Sequence, residues 1–208
     1  MNEEKEEMTG MKFIVATKNK DKISEIKEIV KDFPFDVLSM EEAGFDDEIP
    51  ENGTTFEENA LIKARAIHKK TGGYVMADDS GLSVNALDGA PGIYSSRFAG
   101  ENAGYKEKIQ IIWDMLDEKK AKDRSAKFIC AIAVIKPDGS EFTVRGECHG
   151  IIHDQAIGEN GFGYDPVFFM PEYMMTTAQM TPSMKHSVSH RGIALRKMME
   201  ILSDDMRS

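Results

Sequence analysis

The chain has 208 residues, 41% hydrophobic and 30% charged, a balance that excludes a disordered or fibrous protein and allows one domain whose core needs no disulfide or metal. Lys and Arg number 26 against 36 Asp and Glu, and the net charge of −10 argues against a partner such as duplex DNA or an anionic membrane surface. A local lysine cluster can still invert the field for a small anion.

No apolar segment of signal-peptide type opens the chain, and the longest apolar run, Phe128 to Ile135, is too short to span a bilayer, so a cytoplasmic protein is expected. Residues 1–10, MNEEKEEMTG, read as a disordered acidic extension before a single domain over 11–208. Lys12 to Ala16 is a short β-branched run and reads as a buried strand. A helix follows Thr17–Lys22, with Ile23, Ile26, Ile29 and Val30 on one face, and Pro34 forbids its continuation. Phe35 to Ser39 is a candidate second strand, and the acidic stretch Glu41 to Asn52 a loop.

A second helix opens at Thr54-Thr55, where Glu57 or Glu58 completes a capping box, and ends at Gly72-Gly73. Its apolar stripe is Phe56, Ala60, Ala64 and Ile67. Tyr74 to Ala77 reads as a strand, Asp78-Asp79-Ser80-Gly81 as its end, and Leu82 to Leu87 as another strand. Ile109, Ile112, Trp113 and Leu116 mark a third helix; Ala126 to Ile135 and Glu141 to Glu147 form a hairpin about Pro137-Asp138-Gly139. Gly158 to Pro166 is a glycine-rich loop, and Ala194, Leu195, Met198 and Leu202 mark the last helix. Strands paired with helices, then a hairpin, give an α/β class: a mixed sheet flanked by helices. Cys130 and Cys148, with no CxxC spacing, read as buried free thiols.

Four constellations are able to carry chemistry. Thr17, Asn19 and Lys22 sit at a strand-to-helix turn, where free N–H groups and the helix dipole suit a phosphate; a polar helix cap is the plainer reading, and P-loop glycines are missing. Asp78-Asp79 is an Asx-type turn or half of a cation site, in which Asp79 and Glu58 jointly hold Mg2+ and Lys63, one turn beyond Asn59, faces the same phosphates. Gly161-Phe162-Gly163-Tyr164-Asp165-Pro166 is a tight turn, or a loop that stacks a flat ring on Phe162 and offers Asp165 as acceptor. Lys185 and His190-Arg191 are a solvated basic patch, or cations gathered near a helix start by a bound anion or base carbonyl.

These motifs, read as ATKNKDK, TFEENALIKA, ADDSGLSVNALDGAPGIYSSRFAG, GENGFGYDPVF and SHRGIALRK, resemble the inosine triphosphate pyrophosphatase family from about Met11 to Leu202. The resemblance implies an extended mixed sheet with two lobes and a central cleft, a homodimer, and Mg2+-dependent hydrolysis of ITP, dITP or XTP to the monophosphate and pyrophosphate. It implies that Thr17, Lys18, Asn19, Lys20, Asp21 and Lys22, with Lys63, bind the triphosphate. Glu58 and Asp79 would bind the metal, with Asp79 as general base, and Ser80 would touch substrate. Phe162, Gly163, Tyr164, Asp165, Lys185, His190 and Arg191 would hold the base and sugar, and donors among the last three would favour a 6-keto purine over adenine. Lys18 stands where the family often has Gly, and Ser183 to His186 replaces a more acidic stretch. The competing readings are a nucleotide sensor without turnover, which has no need of Glu58 with Asp79, and a pyrophosphatase for modified pyrimidine triphosphates.

Overall fold

The computed structural model describes residues 11–33, 35–46, 48–100 and 102–206, so the acidic extension 1–10 and the helix-ending Pro34 of the sequence reading lie outside the described residues. Strands β1 (Met11–Val15), β2 (Phe35–Ser39), β3 (Tyr74–Val84), β4 (Ser125–Ile135), β5 (Glu141–Ile152), β6 (Phe168–Met170) and β7 (Met175–Thr176) form one sheet in the order β2-β1-β3-β4-β5-β6-β7. β2 and β3 flank β1 in parallel, with Phe13 opposite Val37 and Tyr74. β6 runs antiparallel to both β5 and β7. The α-helices among the described residues are α1 (Lys20–Val30), α2 (Phe56–Thr71), α3 (Tyr105–Glu118), α4 (Pro182–Val188) and α5 (His190–Met206). The α/β class and mixed sheet expected from the sequence are found.

The chain divides into two compact units. The first comprises Met1–Asp79, Cys130–Gly146 and Arg191–Ser208. Side chains alternate across a strand, so the unit has two apolar layers. On one face Phe13, Val15, Met76, Ile132 and Val134 meet Ile26 and Val30 of α1 and Ala194, Leu195, Met198 and Leu202 of α5. On the other, Ala16, Val75, Ala77, Ala133 and Ile135 meet Ala60, Ala64 and Ile67 of α2. The same alternation carries Asp78 to the α1/α5 face with Met76, and Asp79 to the α2 face with Ala77.

The second unit comprises Ser80–Ile129 and Glu147–His190. Its core joins Leu82 and Val84 to Ile109, Ile112 and Leu116 of α3, and to Phe128, Val167, Phe168 and Met180. Trp113 Nε1–H donates to the His153 carbonyl at 2.8 Å, fastening α3 to the chain after β5.

Two strands differ from the sequence reading: β5 runs on from Glu147 to Ile152, and β3 is continuous. β3 is a single strand through Asp78-Asp79-Ser80-Gly81, and Asn85–Leu87 is a 3-10 turn rather than strand. Aspartate is depleted in strand interiors because a buried carboxylate lacks partners there; here cations and an amide on both faces supply them. β6, β7 and α4 carry no sequence signal. They are two to seven residues long, too short for a period to register, and Pro171 and Pro182 interrupt the pattern. Both cysteines are free and buried, as expected. Among the described residues no helix is long and apolar enough to cross a membrane.

Candidate active site

The β1–α1 turn is built by short polar side chains. Thr17 Oγ1 accepts the Asn19 N–H at 3.2 Å, and Asn19 caps α1 by accepting the Lys22 N–H on Oδ1 at 3.1 Å. Lys22 then reaches inward, its Nζ 2.8 Å from Asp78 Oδ1. Thr17, Asn19 and Lys22 therefore share one turn. Lys20 and Asp21 are exposed on the first turn of α1, and Lys18 pairs with Asp46 at 2.9 Å. Lys18 and Lys20 border a cavity of about 470 Å³ with Ser39, Met40 and Phe45.

Asp78 is 1% exposed and sits in a buried charge network. Arg191 Nη2 and Nε donate to its Oδ2 at 2.9 and 3.1 Å, and Arg191 Nη1 pairs with Glu25 of α1. Burial pushes the Asp78 carboxyl up, but Lys22, Arg191 and Lys63 override it and hold it well below the usual carboxylate range. Burial pulls Lys22 down, and Asp78 more than restores it, so its ammonium is raised. Arg191 is raised by the same carboxylates against its own burial.

Asp79 lies on the opposite face. Asn59 Nδ2–H donates to its Oδ2 at 3.1 Å, and Lys63 Nζ stands 3.6 Å from its Oδ1. Lys63 also donates to Glu51 Oε1 at 2.6 Å and to the Asp78 carbonyl at 2.8 Å. Burial pushes Asp79 above its ordinary range; Lys63 and Lys22 oppose this, and Glu51 adds to it. Glu58 is exposed at the start of α2. Its Oε2 accepts the Thr54 N–H at 2.6 Å and the Thr54 hydroxyl at 2.8 Å, which hold its carboxyl low.

Among the described residues no three His, Cys, Asp or Glu side chains gather into a metal cage. The two carboxylates that bracket the Lys63 ammonium, Asp79 and Glu51, already converge on a cation. That donor set suits Mg2+, which takes one or two carboxylates and fills its remaining positions with water and phosphate oxygens.

In the second unit, Asp165 closes the glycine-rich loop on itself. Its Oδ2 accepts the Phe162 N–H at 2.8 Å and Lys185 Nζ at 2.6 Å, and its Oδ1 accepts the Thr177 hydroxyl at 2.8 Å. Gly161, at φ 73°, leaves no room for a Cβ, which would fall 2.1 Å from Asp165 Oδ2. Lys185 Nζ lies 5.2 Å from the Phe162 ring centroid. His190 stacks on Phe128 at 4.8 Å, and Tyr164 donates to the Ser95 carbonyl at 3.0 Å. Ser80 is half-buried on β3.

Residues 13–201 match the model of the Ham1 family. The chain belongs to the Ham1 family. It is 45% identical over 197 residues to the dITP/XTP pyrophosphatase of Clostridium perfringens, covering 92% of this chain and 97% of that one. It is also 45% identical over 193 residues to the one from Desulforamulus reducens, at 93% and 96% coverage. Among solved structures, the Ham1 protein of Staphylococcus aureus is 39% identical with a TM-score of 0.83, and that of Coxiella burnetii 39% identical with a TM-score of 0.85; each comparison covers 93% of this chain and 99% of the other.

In this Ham1-family chain two of the expected site residues have protein partners that the sequence does not announce. Asp165, expected as an acceptor for a base, has both oxygens hydrogen-bonded within the protein, to its own loop, Lys185 and Thr177, as a buried carboxylate requires. Arg191 has its guanidinium engaged by Asp78 and Glu25, so protein carboxylates neutralise its charge. Glu51, Asn59, Glu25 and Thr177 contact the candidate residues and are not singled out as site residues by the sequence. Glu51 and Glu25 are single acids in acidic or helical stretches, with no spacing signal. Asn59 is the exception: an amide on the buried stripe of α2, between Phe56 and Ala60, flags a partner across the core.

Proposed function

We propose that this chain hydrolyses non-standard purine nucleoside triphosphates (ITP, dITP and XTP) to the monophosphate and pyrophosphate. Relatives named dITP/XTP pyrophosphatase, at 45% identity over nearly their whole length, support the reaction. The observation that carries it in this chain is the buried Asp79 carboxylate, held by Asn59 and Lys63 near Lys22. A sensor without turnover has no use for a buried carboxylate of that kind.

The turn Thr17 to Lys22, with Lys63, is assigned to the triphosphate: N–H groups at the start of α1 and two ammonium groups oppose its charge. Asp79 is assigned as general base. It takes a proton from water as the water oxygen bonds to phosphorus; the P–O bond between the α and β phosphates breaks and pyrophosphate leaves. Bound Mg2+ supplies charge neutralisation and a more acidic water. Asp79 would hold it with Glu51, which already faces the same Lys63 ammonium; Glu58, the ligand expected from the resemblance, has one oxygen, Oε2, held by Thr54.

The base is assigned to Phe162, Gly163, Tyr164, Lys185 and His190. An ammonium has three donors, and Lys185 directs one to Asp165. Another donated to a 6-keto oxygen favours hypoxanthine and xanthine, whereas the amino group of adenine offers no acceptor. An unpaired buried donor costs about 1–3 kcal/mol. Asp165 and Arg191 are read as positioning residues. A homodimer and a cytoplasmic location, where nucleoside triphosphates are found, complete the reading; light scattering tests the first.

The test is pyrophosphate release from a panel of nucleoside triphosphates with and without Mg2+. ITP, dITP and XTP should turn over far faster than ATP, GTP or the pyrimidine triphosphates, and only with the metal. Release of orthophosphate and a diphosphate would sink the proposal, as would preference for a modified pyrimidine.

A further inference from the structure

Asn59 is wholly buried, yet it packs in the apolar stripe of α2. Both ends of its amide are used, in opposite directions. Its Nδ2 donates to Asp79 Oδ2 at 3.1 Å, and its Oδ1 accepts the Gly53 backbone N–H at 2.9 Å. Gly53 follows Glu51 by two residues and immediately precedes Thr54, which holds Glu58. The fit at Gly53 is close: a Cβ there would lie 2.8 Å from both Asn59 Oδ1 and Glu58 Cβ. One side chain thus ties the segment that carries Glu51 to the carboxylate of Asp79, and Lys63 spans the same two acids from the next turn of α2.

We infer that Asn59 is a positioning residue for this site, fixing the orientation of Asp79 and its spacing from Glu51. The amide holds Oδ2 of Asp79, while Oδ1 stands 3.6 Å from the Lys63 ammonium. No other common side chain of this size has a donor and an acceptor in one rigid plane, as this bridge requires. The isosteric exchange Asn59→Asp would keep an acceptor for Gly53 but face Asp79 with a second carboxylate. The inference rests on the assignment of Asp79 under the proposed reaction.

The experiment compares Asn59→Asp, Gly53→Ala and Asp79→Asn with the parent chain. Three readouts are taken: kcat and KM for ITP with Mg2+, Mn2+ binding to the nucleotide-free protein by electron paramagnetic resonance, and thermal melting. Loss of an outer partner of a ligating carboxylate typically costs about 10–100-fold in activity or metal affinity. Asn59→Asp should therefore lower kcat by about that factor with KM within about threefold, and weaken Mn2+ binding. Gly53→Ala reaches the same amide from its other end without touching Asp79, and should reproduce the split in weaker form.

Folded Asn59→Asp protein with parental kcat and Mn2+ affinity overturns the inference. So does a fall in melting temperature with unchanged kcat per folded molecule, which is the mark of a merely structural residue. If Asn59→Asp fails to fold, Gly53→Ala decides, and parental kcat and Mn2+ binding in that variant overturn the inference. Asp79→Asn separates the two levels: if it retains turnover, the general-base assignment fails; if it alone loses turnover, only the role of Asn59 fails.

Discussion

Arg191 and Asp78 are each 1% exposed, and two guanidinium N–H groups converge on one carboxylate oxygen at 2.9 and 3.1 Å. The pair is 113 residues apart in sequence. With Lys22 on the other Asp78 oxygen and Glu25 on Arg191, two acids and two bases neutralise one another inside the first unit. Burying such charges is costly, so removing one partner strands the rest.

Arg191→Ala is accordingly expected to destabilise the protein by about 3–5 kcal/mol, the usual scale for a broken buried pair. Its effect on catalysis should run through Asp78 and Lys22, on the phosphate side, and lower kcat/KM for ITP and ATP by the same factor. Denaturant melts and the ITP/ATP ratio check both parts. A ratio that collapses, with stability intact, would return Arg191 to the base.

Asp79→Asn is expected to lower kcat by about a hundredfold or more, the scale of a lost general base. The amide is isosteric and keeps an acceptor for Asn59, so melting should change little. Chelation of divalent ions should abolish turnover in the parent chain. Near-normal turnover of Asp79→Asn would move the base elsewhere.

What the sequence made legible was local. Thr17, Asn19 and Lys22 fall within six residues, and capping chemistry alone predicts how they fold together. Thr55 caps α2 through the Glu58 N–H as the capping box implies, and Gly72 ends it at φ 63°. The adjacent acids Asp78 and Asp79 stood out as a pair, and in the structure strand alternation sends them to opposite faces. Their partners were not legible: Arg191 and Lys22 reach Asp78 only because α5 and α1 pack on the same face of β3, a fact of tertiary structure. The same ignorance split β3 into two strands, since an unpartnered Asp pair argues for a turn. The partners of Asp165 are hidden from the sequence for a related reason. Nothing in Gly-Phe-Gly-Tyr-Asp reveals that Thr177 and Lys185, 12 and 20 residues on, will consume its oxygens.

Gly161→Ala tests that closed loop. The added methyl meets Asp165 Oδ2 at 2.1 Å and Lys185 Nζ at 2.9 Å, at a φ of 73° that strains any L side chain. A strained backbone position costs about 1–3 kcal/mol. The Asp165–Lys185 pair should separate and Phe162 lose its support, raising KM for ITP by about tenfold or more, the equivalent of about 1.4 kcal/mol or more. Binding of inorganic tripolyphosphate, which has no base, should stay at the parental level by calorimetry. An equal loss for both would show that the loop serves the whole fold rather than base recognition.

The last expectation concerns acid stability and is read from Glu42, away from the site. Its carboxylate takes Lys27 Nζ at 2.8 and 2.7 Å and the Ser39 N–H at 2.7 Å, while its own N–H donates to Ser39 Oγ at 3.1 Å. The Lys27 hydrogen bonds, then those from Ser39, lower its carboxyl from 4.5 to about 2. A carboxyl depressed in the folded state binds its proton more readily in the unfolded chain. Its contribution is therefore fully present above pH 4.5 and disappears as the pH falls toward about 2. The side chain is 47% exposed, so the effect is small and sensitive to salt. Glu42→Gln should melt below the parent chain at neutral pH, and the gap should close across that acid window, sooner in high salt. Thermal melts of both proteins at half-unit pH steps measure the gap. A gap that stays constant through the window would mean that Glu42 binds its proton equally in the folded and unfolded chains, and that the Ser39 and Lys27 contacts hold the 41–44 turn by geometry rather than by charge.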